Sequence, residues 1–184
     1  PSLLFVCLAS LLVPLTASSQ DKAKSGKAKK KTPAPFRWVN PLAEGRYAGV
    51  KHATFVSPSM GVAVGYCIYL PPQYGEAASA DRRFPVVYYL HGGRPGSETK
   101  SVSLSVYMHK AIVSNQVAPM IYVFVNGGRV SHYNYPEKKS MGEDVFVKEL
   151  IPHIDRTYRT IADRSGRGLE GFSRGGRGTT RIMF

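Results

Sequence analysis

Two runs of apolar residues in this chain are each followed, after one polar residue, by a pair of glycines. The runs are FPVVYYL at 84–90, which HGG follows, and PMIYVFV at 119–125, which NGG follows. A shorter strand-like run, GRGLEGF at 166–172, leads into SRGG. Continuous apolar runs rich in β-branched and aromatic residues are typical of strands buried on both faces. The chain is therefore expected to build a sheet with three glycine-rich strand exits.

Helical patterns separate these runs. Residues 101–117 predict one helix, and residues 142–158 carry mostly helically spaced apolar side chains, with Pro152 expected to kink that helix. Two β-rich runs, 49–57 and 61–70, come first. Alternating strands and helices predict an α/β domain with a mostly parallel sheet flanked by helices. Ligands bind at the carboxyl ends of the strands in such sheets, so the glycine-rich exits predict a functional site.

The third exit contains the sequence G-F-S-R-G at 171–175, which fits the pattern G-x-S-x-G. In a nucleophile elbow a strand, a tight turn and a helix present a serine above the sheet. Ser173 is therefore the predicted catalytic nucleophile. Gly171 and Gly175 are the predicted elbow glycines, because they permit close approach of the strand and the helix.

An oxyanion hole requires backbone N–H groups beside the nucleophile. The N–H of Arg174 lies at the predicted helix start, and the HGG loop supplies a second donor from Gly93 or its neighbour Gly92. We predict Gly93 and Arg174 as these donors. The residues predicted to line a substrate pocket are His91, Asn126 and Tyr133.

The first 40 residues have a different composition. Residues 1–19 contain an apolar run and then small residues, which predicts a secretory signal peptide incomplete at its start; a buried helix is the alternative. Residues 20–40 predict a basic flexible linker, since six lysines and one aspartate occupy 21–31. This organisation predicts a secreted or periplasmic protein with no membrane span and a folded domain over 41–184.

Other ligand classes are disfavoured. GRGLEG at 166–171 matches a dinucleotide fingerprint, but no acidic residue follows it. The lysine-rich segment could bind an anionic surface, but it has no interleaved aromatic residues, so no specific nucleic-acid site is predicted. The single cysteine of the predicted domain, Cys67, lies in an apolar run and is expected to be a buried core residue.

Several segments together resemble the "Putative esterase" family of α/β-hydrolases. They are IYLPPQYG, FPVVYYLHGG, PMIYVFVNGG and the stretch from Phe146 to Gly176. The family includes feruloyl and acetylxylan esterases, enterochelin-type esterases, the esterase D group and mycolyltransferases, and the resemblance covers roughly 48–184. It implies an α/β-hydrolase fold, Ser173 as nucleophile, no metal or organic cofactor, and a carboxylate and a histidine that follow the serine in chain order.

The sequence departs from the family pattern at two points. Members usually carry methionine after the serine, whereas this chain has Arg174, whose side chain either favours anionic substrate groups or turns away or pairs with an acid. No acidic residue or histidine follows Ser173. The expectation is a domain truncated after the elbow, so that the 184-residue chain is close to inactive.

The predicted function is therefore that of a secreted serine carboxylic-ester hydrolase. Its predicted substrates are small-molecule or polysaccharide esters, above all carbohydrate-linked feruloyl or acetyl esters. Two alternatives remain open: an acyltransferase on the same scaffold, and a non-catalytic carbohydrate-binding protein that retains the hydrolase fold. The oligomeric state is not predicted.

Overall fold

The computed structural model describes residues 35–183, and a five-stranded sheet forms their centre. The strands of this sheet, numbered in chain order, are β1 (Val50–Ser57), β2 (Val62–Tyr69), β3 (Val86–Leu90), β4 (Ile121–Val125) and β7 (Arg167–Gly171). Their spatial order is β1-β2-β4-β3-β7. A separate two-stranded ribbon contains β5 (Asn134–Tyr135) and β6 (Ser140–Met141).

The sheet is mixed. β4, β3 and β7 run parallel, whereas β1 and β2 form an antiparallel hairpin whose second strand pairs antiparallel with β4. The parallel part contains the three predicted strands with glycine-rich exits. Leu90, the last residue of β3, pairs with Val125 of β4 and with Gly171 of β7. The three exits therefore leave one edge of the sheet at the same level, as the sequence predicts.

Alternating side chains of the central strands pack on opposite faces of the sheet. Tyr88 and Leu90 of β3 belong to one buried cluster with Phe146, whereas Tyr89 belongs to a second cluster with Ile112. Parallel strands covered on both faces bury every side chain, which is why β3 and β4 read as continuous apolar runs. The prediction of an α/β domain with helices on both faces is confirmed. Cys67 of β2 is fully buried, as expected, and burial raises the pKa of its thiol to about 12.

The first α-helix is shorter than predicted. A 3₁₀ turn at Val102–Leu104 precedes α1 (Ser105–Val113), whereas the sequence predicts a helix over 101–117. Asn115, just beyond α1, has a φ of 55°. A left-handed residue directly after a helix is a common way to end it, and asparagine tolerates that conformation.

The predicted helix over 142–158 is present in three parts. These are α2 (Gly142–Asp144), a π-helical segment (Val145–Leu150) and α3 (Ile151–Thr157). Pro152 has no N–H to donate to the preceding turn, and the wider π-helical turns lie immediately before it. The last helix, α4 (Arg174–Met183), follows β7 after two residues.

The folded domain begins before its predicted boundary at residue 41. Trp38 packs against the sheet core, and its carbonyl oxygen accepts a 2.8 Å hydrogen bond from the N–H of Gly65. Asn40 contacts the buried carboxylate of Glu98. The end of the predicted linker, 20–40, therefore belongs to the domain. The predicted signal peptide, 1–19, and the lysine-rich segment lie outside the described residues. Within 35–183 no helix has the length and apolar content needed to cross a bilayer.

Candidate active site

Ser173 lies in the two-residue turn between β7 and α4. Its φ is 54°, in the left-handed region that residues other than glycine rarely adopt. The strand ends at Gly171 and the helix begins at Arg174, so Ser173 is at the top of a strand–turn–helix corner, and it is exposed. Strained backbone of this kind is frequent where a side chain must be held in one direction for function.

The two glycines that flank Ser173 have no room for a side chain. A β-carbon at Gly175 would lie 1.7 Å from the carbonyl oxygen of Leu90, and one at Gly171 would lie 2.4 Å from the carbonyl carbon of Gly175. Both positions therefore require glycine, because the backbone of helix α4 contacts the end of β3 at Gly175 and the end of β7 at Gly171. This close crossing is the structural basis of the G-x-S-x-G spacing.

The HGG loop lies beside the serine. A β-carbon at Gly92 would be 3.3 Å from the β-carbon of Ser173, and Gly93 has a φ of 71°. Among residues 35–183, no acceptor is hydrogen-bonded to the N–H of Gly93 or to that of Arg174. The Arg174 N–H is also at the N-terminus of α4, where the helix dipole favours negative charge.

His91 connects two of the three glycine-rich exits. Its Nε2 atom accepts a 3.2 Å hydrogen bond from the N–H of Gly127, so its Nδ1 atom carries the proton and donates to the carbonyl oxygen of Gly92 at 3.0 Å. Burial lowers the pKa of His91 to about 4, which keeps the ring neutral. The histidine therefore holds the HGG loop against the NGG loop.

His132 lies beside His91, with 4.7 Å between the ring centroids. Its Nε2 atom is 3.0 Å from the carbonyl oxygen of His91, so Nε2 is the donor and Nδ1 is a buried acceptor with no partner among the described residues. Burial first, and then the neighbouring imidazole of His91, lower the pKa of His132 to about 3. Sequence reasoning missed this pair, because no local pattern indicates that residues 91 and 132 meet.

A buried carboxyl group, that of Glu98, is hydrogen-bonded to the first residue of the NGG loop. Glu98 is 1% exposed, and its Oε2 atom accepts hydrogen bonds from the Nδ2 atoms of Asn126 at 2.9 Å and of Asn40 at 3.0 Å. Its Oε1 atom accepts from the N–H of Asn40 and lies 3.0 Å from Nε2 of His52. Asn126 is thus committed to an internal network, which sequence reasoning also missed.

The surface around Ser173 forms an open depression of about 370 Å³, lined by Tyr133, Ser173, Arg174 and Arg177. Tyr133, one of the residues predicted to line a pocket, lies beside the serine in this depression. His91 and Asn126 are 2% and 1% exposed and lie beneath this surface rather than on it. Their polar atoms bond to the loops, which explains why they are not available to line the depression.

A larger depression, of about 630 Å³, lies along residues 42–52 near the opposite edge of the sheet. Among the described residues that line it is one histidine, His52, which is engaged with Glu98. No glycine-rich strand exit opens into that depression, so its volume alone does not make it the better site.

Within 35–183 no histidine is hydrogen-bonded to the hydroxyl of Ser173. Besides His91 and His132, His153 bonds to the hydroxyl of Tyr66 and His109 bonds to the hydroxyl of Tyr69. His52 is engaged with Glu98. Each of the five histidines of the chain is therefore hydrogen-bonded to a group other than Ser173. The described residues therefore present a serine and candidate oxyanion donors, but no base in contact with the serine.

A sheet covered by helices on both faces, with a serine at a left-handed strand-to-helix corner, is the architecture of an α/β-hydrolase. Comparison with known proteins agrees: the family model described as "Putative esterase" matches residues 57–179. The chain belongs to this esterase family.

Two curated relatives illustrate the similarity. The chain is 30% identical over 148 residues to an endo-1,4-beta-xylanase/feruloyl esterase of Xylanibacter ruminicola, a match that covers 75% of this chain and 20% of the relative. It is 28% identical over 131 residues to an esterase of Mycobacterium tuberculosis, covering 69% of this chain and 27% of that one. The chain thus spans about a quarter or less of these two relatives.

Solved structures show the same fold. A ferulic acid esterase is 27% identical and superposes with a TM-score of 0.62, over 71% of this chain and 52% of that one. An S-formylglutathione hydrolase from Agrobacterium tumefaciens has a TM-score of 0.57 at 17% identity, over 72% of this chain and 52% of that one. The second likeness supports the α/β-hydrolase fold alone.

Proposed function

We propose that the protein is a secreted serine carboxylic-ester hydrolase that acts through an acyl-enzyme on Ser173. The observation that carries the proposal is the conformation of Ser173, whose φ of 54° is maintained between a strand and a helix that only glycines allow to touch. An exposed serine in such a turn, with unengaged N–H groups on both sides, has the features that nucleophilic attack on an ester requires.

In the proposed reaction, the Oγ atom of Ser173 attacks the ester carbonyl carbon while a general base takes its proton. The carbonyl oxygen becomes an oxyanion, and the N–H groups of Gly93 and Arg174 donate to it. The tetrahedral species then expels the alcohol, which takes up the proton, and leaves the acyl group on Ser173. Water attacks this acyl-enzyme in the same way and releases the carboxylic acid and the free serine.

The described histidines are poor candidates for the general base. His91 and His132 are buried and neutral, and their Nε2 atoms are occupied by the Gly127 N–H and the His91 carbonyl. We therefore propose that the base and its carboxylate partner lie outside the described residues, as the family resemblance implies. The 184-residue chain alone should then hydrolyse esters no faster than its own Ser173→Ala variant.

The proposed substrates are carbohydrate-linked esters with feruloyl or acetyl groups. The support is the similarity of this chain to an endo-1,4-beta-xylanase/feruloyl esterase and to a ferulic acid esterase. Tyr133, which lines the depression beside Ser173, offers an aromatic edge against which a sugar or a feruloyl ring could pack.

The test is hydrolysis of 4-nitrophenyl acetate and of a feruloylated arabinose by the protein expressed from its complete reading frame. Ser173→Ala should lower kcat/KM by roughly 10³-fold or more, because it removes the nucleophile. Ser103→Ala is the matched control, since Ser103 is exposed and its hydroxyl has no hydrogen bond among the described residues. Activity that survives Ser173→Ala would refute the assignment. Transfer of the acyl group to a sugar hydroxyl in preference to water would instead identify an acyltransferase.

Export is proposed from the composition of the N-terminal residues. A signal peptide at 1–19 and a basic linker after it would place the domain outside the cytoplasm. Mass spectrometry of the mature protein tests this: its N-terminus should lie near Ser18 or Gln20. Recovery of mature protein that retains residues 1–17 would contradict export by this route.

A further inference from the structure

Three arginines form a row on α4 beside Ser173. Arg177 follows Arg174 by three residues, and Arg181 follows Arg177 by four. This spacing places the three side chains on one face of a helix. Arg94, from the loop after β3, lies beside the same row. Four arginine residues, three from α4 and one from a loop, therefore lie near one another beside the proposed nucleophile.

These arginines line a small hollow that adjoins the depression of Ser173. The hollow has a volume of about 120 Å³, and its walls also include Val130, Tyr133 and Tyr135. Tyr133, Arg174 and Arg177 line both the hollow and the larger depression. A ligand whose ester lies at Ser173 could thus place another of its groups in the hollow.

The positive charge in the hollow is largely uncompensated. Among the described residues, Arg181 has a carboxylate partner, Glu143, at 3.4 Å, whereas no carboxylate oxygen lies within 4.0 Å of Arg94, Arg174 or Arg177. The residue Tyr133 lines the hollow, and its hydroxyl is buried without a hydrogen-bond partner among the described residues. Guanidinium groups close together repel one another, so an anion between them would be bound favourably.

We propose that the substrate carries a carboxylate group, which binds to Arg94, Arg174 and Arg177 while the ester carbonyl lies at Ser173. The inference rests on the proposed esterase function and specifies its substrate class: an ester of an acidic sugar, or an ester of an acyl chain that ends in a carboxylate. The planar fork of a guanidinium matches the two oxygens of a carboxylate, and the Tyr133 hydroxyl can donate to the same group.

The spacing along α4 suits such a ligand. Arg177 follows Ser173 by four residues, which is about 6 Å along the helix axis. One pyranose ring, or a short acyl chain, bridges a separation of this size. The side chain of Arg174 then favours anionic groups, which is one of the two interpretations that the sequence leaves open.

The experiment compares two matched pairs of esters with the protein expressed from its complete reading frame. For a carboxylate on the acyl side, the pair is 4-nitrophenyl hydrogen adipate and 4-nitrophenyl hexanoate. For a carboxylate on the alcohol side, the pair is a mono-O-acetylated methyl glucuronoside and the corresponding glucoside. In at least one pair, kcat/KM for the charged ester should exceed that for the neutral ester by roughly tenfold or more, and the ratio should fall as ionic strength rises.

The variants Arg177→Gln and Arg94→Gln should each bring this ratio close to one. Arg46→Gln is the matched control: it removes the same charge from a loop before β1, at the other edge of the sheet, and should keep the ratio of the unmodified protein. A charged-to-neutral ratio of kcat/KM at or below one in both pairs would overturn this inference. If Ser173-dependent cleavage of the neutral esters persists, the proposed esterase function would still stand. Absence of Ser173-dependent hydrolysis of every ester would overturn the proposed function and this inference together.

Discussion

The carbonyl oxygen of Leu90 accepts a hydrogen bond of 3.2 Å from the N–H of Phe172, the residue before Ser173. The same oxygen is the atom that a β-carbon at Gly175 would strike, at 1.7 Å. One backbone carbonyl thus fixes the entry of the serine turn and also sets how closely the following helix approaches.

We expect Gly175→Ala to lower the free energy of unfolding by about 3 kcal/mol, because backbone on both sides of the contact must move. Gly75→Ala is the control, since Gly75 is exposed, has no atom within 4 Å of an added β-carbon, and should change stability by less than about 0.5 kcal/mol. Urea unfolding measures both variants. Equal unfolding midpoints for the two would show that the close crossing of α4 and β3 is absent.

Replacement of His91 by phenylalanine should impair both stability and turnover. The Gly127 N–H would lose its acceptor, which costs about 1–3 kcal/mol for a buried donor. The HGG loop would also lose its fixed position beside Ser173, so kcat for ester hydrolysis should fall between about tenfold and a hundredfold. His109→Phe removes a comparable bond, to Tyr69, on the other side of the sheet, and should leave kcat unaltered. A normal kcat in His91→Phe would separate this histidine from the site.

The stability of the domain should decrease as the pH falls below about 6.5. Burial lowers the pKa of His132 to about 3 and that of His91 to about 4, so between these values and 6.5 the unfolded chain binds protons that the folded chain does not. Each histidine should then contribute a loss of about 1.4 kcal/mol per pH unit within that interval. Stability from this source is complete above pH 6.5.

The variant His132→Gln isolates this effect. Glutamine keeps a donor for the His91 carbonyl but does not titrate, so the loss of stability between pH 7.5 and pH 5.5 should be smaller than in the unmodified protein, where the lowered pKa values of His91, His132 and His153 all contribute. Urea unfolding at several pH values provides the measurement. Identical pH dependence in both proteins would mean that His132 becomes protonated without opening the fold.

Apolar surface around β7 should make the 184-residue chain prone to association. Among the described residues β7 pairs with β3 alone, and Phe172 is 68% exposed and Met183 55% exposed on the elements beside it. Open strand edges and exposed apolar side chains favour aggregation. We expect the chain to be poorly soluble and to bind a hydrophobic dye. A soluble monomer that unfolds cooperatively without binding dye would contradict this expectation.

Local sequence predicts the frame of the molecule well. The strands β3 and β4 are apolar along their whole length because both of their faces are buried, and the glycines at 171 and 175 reflect a contact between consecutive elements. The strand–turn–helix corner at Ser173 is also predicted from its neighbours alone, since the turn is formed by residues within a few positions of it. Each of these features is encoded within about ten residues.

The features that sequence reasoning missed depend on distant residues. One such feature is the contact between His91 and His132. Another is the hydrogen-bonded cluster of Asn40, Asn126 and Glu98. Both follow from the strand order and the paths of the loops, which no local pattern encodes. Arg94 and Arg177 likewise become neighbours only because β3 and β7 are adjacent. The packing of residues before the predicted boundary at residue 41 has the same cause: their composition resembles that of a linker, whereas Trp38 and Asn40 contact residues far along the chain.

The carboxylate of Glu98 also determines where a recombinant form of the domain can start. A gene designed from composition would begin at residue 41 and would delete both groups of Asn40 that donate to this carboxylate. A buried carboxyl group that loses two of its hydrogen-bond donors is destabilised, so such a product is expected to accumulate in inclusion bodies. Expression should instead begin upstream of Trp38. Residues 38–40 would then be present to pack against the sheet core and to bond to Glu98, so they behave as part of the folded domain and not as a flexible extension.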